Sequence, residues 1–374
     1  MEELKRELEK LSKTYVDTPE KEEKILIPFI KRLLELSVKE RRKFLPTIRE
    51  LQWIKGKFSE TFCDHHRARL LGAVQFVCGN KREMDLGYHI DFNLLCKLLS
   101  LYTPSWLAEY INDAESYLNF NISYEQLMQL IDMGYMQELS PKRIAQILPG
   151  YICIRSSLPK GKDTFNSDLL LKREITLKEH IWYLFEQESS IGYHNDRAQT
   201  AYKEGTTSRD ESFSAAFYRF SLDGHLDRNR LLRATLSTFN RSFKKDMVNW
   251  FAGLFEELQP RAEELISLQE EIMQVFTSPY TKPVNVMLQQ LKKIASEGGF
   301  HYQEFIERAT TLFFSSPKNS LLTIYSIFEQ IVTGHPEMKE ACCIPLCQLF
   351  LKKDESLQKK AASFISKYGD ACSS

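Results

Sequence analysis

Residues 272–294, IMQVFTSPYTKPVNVMLQQLKKI, recur in outline at residues 309–331, ATTLFFSSPKNSLLTIYSIFEQI, and again at residues 346–368, LCQLFLKKDESLQKKAASFISKY. A single shift of 37 residues superimposes their apolar positions. It aligns Ile272, Ala309 and Leu346, then Val275, Leu312 and Leu349, then Phe276, Phe313 and Phe350. After a short break it aligns Met287, Ile324 and Ala361, then Leu291, Phe328 and Ile365, then Ile294, Ile331 and Tyr368. Within each part the apolar residues recur at three- and four-residue steps, the signature of a helix with one buried face. One shift further back, Phe239, Trp250 and Leu254 fall in the same register and mark a degenerate fourth unit.

Two helices of this length cannot bury their apolar stripes alone, so each pair must stack on its neighbours. The spacing lies a little below the ~40 to 47 residues of HEAT and armadillo units and above the 34 of tetratricopeptide units, whose Trp-Leu-Gly-Tyr signature is absent. The expected fold is therefore all-α: a right-handed α-solenoid of stacked, HEAT-like helical pairs over residues 223–374, preceded by a helical N-terminal half.

Working outward, helix starts recur along the whole chain. Thr18-Pro19, Thr103-Pro104, Ser140-Pro141 and Ser316-Pro317 combine a side-chain acceptor with a proline at the next position, where no amide is needed. Ser37 to Glu40, Ser123 to Gln126 and Thr176 to Glu179 have capping-box spacing. Apart from a short apolar patch at Tyr151 to Ile154, no period-two alternation is convincing, so strand content should be small. Two stretches break the helical pattern, Ser156 to Thr164 and the polar segment Ser189 to Asp210. The expected organisation is a helical region at 1–188, a polar loop and connecting helix at 189–222, and repeats from 223 to 374.

The chain has 374 residues, with 50 Lys and Arg against 50 Asp and Glu. This zero balance excludes a global cationic field for nucleic acid or an acidic membrane and leaves only local patches. The charged start MEELKRELEK lacks the features of a secretory signal, and no apolar run is long enough to cross a bilayer. The 8 cysteines sit mostly in apolar helical pattern, as buried thiols in a reducing compartment do. A cytoplasmic protein without membrane contact is expected.

Over residues 224–265, GHLDRNRLLRATLSTFNRSFKKDMVNWFAGLFEELQPRAEEL, an Asp-Arg-x-Arg-Leu-Leu helix, a Trp-Phe helix, and then Pro with an acidic run follow one another. Asp227, Arg228, Arg230, Leu231, Leu232, Trp250, Phe251 and Pro260 occupy those positions. In this pattern the chain resembles an uncharacterised bacterial family of large HEAT-like helical-repeat proteins, clearest from Gly224 to Tyr368, with a weaker echo at Ser37 to Leu51. The resemblance implies the repeat fold but no activity, catalytic residue or cofactor. Members of that family are commonly longer, so these residues could form the N-terminal part of a larger protein.

Several groupings invite a chemical reading. Cys63, His65 and His66, with Cys78 further along the same helix, offer metal-type donors, but no second ligand pair follows at finger-like distance. Cys342, Cys343 and Cys347 fit core packing better. His194 and Asp196 could act as a base and its orienting carboxylate, yet no nucleophile or phosphate-binding motif accompanies them. No catalytic, cofactor or metal residue is therefore assigned. The basic runs Lys39, Arg41, Arg42, Lys43 and Arg228, Arg230, Arg233, Arg241, Lys244, Lys245 could touch phosphates, although flanking acids favour solvated helix faces. The repeat shift also aligns Gln289, Ser326 and Ser363 and, one turn later, Lys293, Gln330 and Lys367, as a polar stripe on the second helices. The expected function is a non-enzymatic scaffold that binds a protein partner along this stripe. The alternative is a nucleic-acid-binding, DNA-glycosylase-like HEAT-repeat protein.

Overall fold

The computed structural model describes residues 1–14, 18–55, 60–62, 65–86, 90–113, 122–156 and 161–369. Among these the protein is all-α, with strand limited to two short antiparallel pairs. One joins Trp53–Lys55 to Glu60–Phe62 and the other joins Cys153–Ile154, inside the apolar patch, to Thr164–Phe165. The chain forms two compact units, Met1–Tyr151 and Ile152–Ser374.

In the first unit, local chemistry sets the helix starts. Thr18 accepts the amide of Lys21 ahead of helix Pro19–Leu34, and Ser37 with Glu40 and Ser123 with Gln126 form complete capping boxes. Ser140 accepts the amide of Arg143 at the start of helix Pro141–Tyr151. Buried Arg69 joins two helices to a third, with Nη1 3.0 Å from Glu22 and Nη2 2.5 Å from Asp91, the N-cap of Phe92–Leu101.

Three expected starts are displaced. The Thr103 hydroxyl donates back to the Leu99 carbonyl at 3.2 Å and so closes the preceding helix. Thr176 is buried inside helix Glu174–Lys178, which ends before a box could form. Beside Ser316, it is Pro317 that takes the N-cap position of Lys318–Gly334. The segment expected to be a polar loop at 189–210 is also mostly helix, Ile191–Lys203, with Ile191, Asn195, Ala198 and Ala201 buried. Its few small apolar residues make a narrow buried stripe that whole-segment polarity obscures. Gly192 allows close approach there, since a Cβ would lie 3.4 Å from the Trp250 ring.

The second unit continues through helix Phe213–Leu222 into four helical pairs. These are Arg228–Ser237 with Lys245–Glu257, Ala262–Gln274 with Thr281–Ile294, Tyr302–Thr310 with Lys318–Gly334, and Lys339–Leu346 with Glu355–Tyr368. The second helices of the last three pairs begin at Thr281, Lys318 and Glu355, each 37 residues after the one before. Within every pair the two helices touch, and each second helix touches the second helix of the next pair. Polar clamps reinforce these junctions. Buried Gln269 donates to the Gly299 carbonyl at 2.9 Å and accepts the His301 amide at 2.7 Å, while Gly299 turns the chain with φ 100°. Lys318 reaches Asp354 at 2.9 Å.

The aligned apolar columns are buried through Ile272, Ala309 and Leu346, through Val275, Leu312 and Leu349, and through Met287, Ile324 and Ala361. Phe350 departs from its column: Phe276 is 6% exposed and Phe313 0%, but Phe350 is 45% exposed. Phe276 is covered by Phe305 of the next pair, with ring centres 6.0 Å apart, and among the described residues no further pair follows to cover Phe350.

Candidate functional site

The six stripe residues lie on the second helices, each of which touches the second helix of the next pair. Gln289, Lys293, Ser363 and Lys367 are exposed, whereas Ser326 and Gln330 of the third pair are half-buried. Part of the stripe is knitted into the fold. Gln289 donates across to Thr323 Oγ1 at 2.9 Å, and Lys293 Nζ donates to the side chain of buried Gln290 at 2.7 Å. Lys367 lies 4.6 Å from the centre of the Tyr368 ring, and Lys360 lies 5.0 Å from that of Tyr325. The result is a polar face with aliphatic stems and aromatic edges.

The basic run after Asp227 is distributed rather than gathered. Asp227 caps the Arg230 amide at 2.6 Å. Arg228 is half-buried, pairs with Glu264 at 2.7 Å and donates to the Leu258 and Gln259 carbonyls at 2.8 and 3.2 Å, binding the end of one pair to the start of the next. Burial raises the Glu264 carboxyl, but hydrogen bonds from Arg228 and Arg261 overcome it and hold the group at about 2. Arg233 pairs with Glu271, and Lys244 with Glu188. The Arg230 guanidinium carbon lies over the Trp182 ring, 3.9 Å from its centre. Leu231, Leu232 and Phe251 are core residues, and Pro260 is buried after Gln259. Most of the signature quoted above is thus joinery.

The first basic run is also divided. Arg41 is buried and donates to the Val77 carbonyl at 3.1 Å, and Arg42 pairs with Glu83 at 2.8 Å. His194 and Asp196 share helix Ile191–Lys203 but stand two residues apart, so they leave it in different directions. Burial, aided by the Arg197 and Arg155 charges, pushes the His194 imidazole down to about 4. Cys63 and the side chains of His65 and His66 lie outside the described residues. Burial pushes the Cys78 thiol up to about 12, against the Arg41 charge, and the Cys342 thiol to about 12, with neighbouring Cys343 adding to the effect.

One grouping has no sequence signal, because Glu270 lies far in the chain from His301 and Glu304. His301 Nδ1 lies 3.7 Å from both Glu270 and Glu304 on the surface, and Arg308 holds the other oxygen of Glu304 at 2.7 Å. Their donor atoms lie within 4.8 Å of one another. The imidazole thus stands between two carboxylates, one of which Arg308 already engages.

No helix among the described residues is long and apolar enough to cross a membrane. A family model described as a domain of unknown function (DUF6493) matches residues 2–319. The match starts well before the motif at Gly224 and reaches into the third helical pair. No curated protein and no solved structure matches the chain.

Proposed function

The chain belongs to the DUF6493 family, and we propose that it is a non-enzymatic helical-repeat scaffold that holds a protein partner along the polar side of its second helices. In this reading the pairs stack as a right-handed HEAT-like solenoid and the protein works in the cytoplasm, where its buried thiols stay reduced. The observation that carries it is the polar face shared by successive second helices, with Lys293 and Lys367 exposed at equivalent positions. Repeat arrays use such faces to bring side chains from several units onto one ligand.

Nucleic-acid binding draws less support, since Arg228, Arg233 and Lys244 are paired with carboxylates. Replacing Lys293 and Lys367 by Glu should weaken the complex with a purified partner and leave the melting temperature unchanged. Unchanged affinity would remove the interface from this face. Tight duplex-DNA binding that falls steeply with salt at near-physiological ionic strength would favour the nucleic-acid alternative.

A further inference from the structure

A groove of about 700 Å³ lies beside the first helical pair, away from the stripe residues. Its wall is aromatic: Trp182 and Phe185, from the short helices His180–Trp182 and Tyr183–Glu186, are buried. Its rim carries Arg230, Arg233 and Arg241, all exposed. Arg233 is engaged by Glu271 and by Asn229, the latter at 2.9 Å. The side chains of Arg230 and Arg241 make neither an ion pair nor a hydrogen bond among the described residues. The Arg230 guanidinium sits over the Trp182 ring in a cation–π contact, which holds the side chain at the groove while its N–H donors bond to no described residue. Trp182 is 5% exposed, and its indole N–H also lacks an acceptor among the described residues.

We propose that this groove docks a short acidic peptide segment of a partner protein, with carboxylates on Arg230 and Arg241. Planar guanidinium groups match carboxylates through paired hydrogen bonds. A phosphodiester track instead needs several free cations in line. Here Glu186 and Asp227 share the groove, and Glu271 already holds the third arginine. Two free forks among fixed acids suit a short peptide better than a polyanion. The inference rests on the protein-binding reading but concerns a different surface.

The test is fluorescence anisotropy on the full chain with a labelled peptide of mixed Glu and Leu, a matched peptide of Gln and Leu, and labelled single-stranded DNA. The Glu peptide should bind saturably and the Gln peptide at least about tenfold more weakly. Arg230→Ala with Arg241→Ala should weaken the Glu peptide by about tenfold or more, while Lys293→Glu with Lys367→Glu leaves it unchanged. Should uncovering Trp182 lower the melting temperature, Arg241→Glu alone supplies the reading and should also weaken binding. Equal binding of the two peptides, no effect of the arginine changes, or tighter binding of the DNA would overturn the proposal. If no peptide binds while the lysine changes still weaken a partner complex, the groove assignment falls and the scaffold stands.

Discussion

Gln259 is the one described residue other than glycine with positive φ, at 47°, just past the C-terminal end of helix Lys245–Glu257 and before buried Pro260. A side chain in this left-handed region costs about 1 kcal/mol that glycine avoids. Gln259→Gly should therefore stabilise the protein by up to about 1 kcal/mol, read as an upward shift of the urea midpoint. The carbonyl that receives Arg228 belongs to the backbone and survives the change. Arg228 itself is another matter. Arg228→Met should cost about 3 kcal/mol, because Glu264 is left charged and half-buried without its main partner. The sign with pH follows from the depressed Glu264 carboxyl: its contribution is complete above the ordinary value of 4.5 and is lost as pH falls through about 2. Stability of the Arg228→Met variant should fall less steeply over that acid range, a difference measurable by urea melts at successive pH values.

At the scale of elements, the aligned columns predict unequal costs. Phe313→Ala should destabilise by about 3 to 5 kcal/mol, whereas Phe350→Ala, at an exposed place, should cost well under ~1 kcal/mol. Equal losses would mean that the fourth pair buries its aromatic after all. The helical pairs were legible because residues four apart on a helix must share a face, so a repeated packing problem leaves a repeated apolar spacing. Phe350 could not be read in this way, since its exposure depends on what lies beyond it rather than on its own column. The helix at Ile191–Lys203 was missed because Asn195, a polar residue, occupies a buried position and donates nothing to apolar periodicity; its Oδ1 accepts the Ser214 amide at 3.0 Å. The stripe was legible as the complement of the buried columns, but the half-burial of Ser326 and Gln330 was not. The aromatic groove had no linear signature, since Trp182 and Arg230 come from separate elements joined only by folding.

At the scale of the whole molecule, Glu270, His301 and Glu304 are the metal-type donors that the described residues bring together, and Arg308 already holds one oxygen of Glu304. The melting midpoint should be indifferent to a strong chelator. A fall restored by zinc would direct attention to Glu270, His301 and Glu304 or to the segment around Cys63. The second unit carries its own core, including Phe185, Phe217 and Phe251 with ring centres 5.7 and 5.2 Å from the first of them, so residues 152–369 expressed alone should melt cooperatively.

The fourth pair, with its uncovered Phe350, touches a neighbouring pair on one side only among the described residues. Stability in such an array is a chain of nearest-neighbour couplings, so an outermost member is held by one coupling and an inner member by two. Backbone amides of Glu355–Tyr368 should then exchange with solvent deuterons sooner than those of Thr281–Ile294, by local opening that leaves the inner pairs intact. Opening of this kind is confined to the pair held on one side, and the rest of the second unit still melts as one.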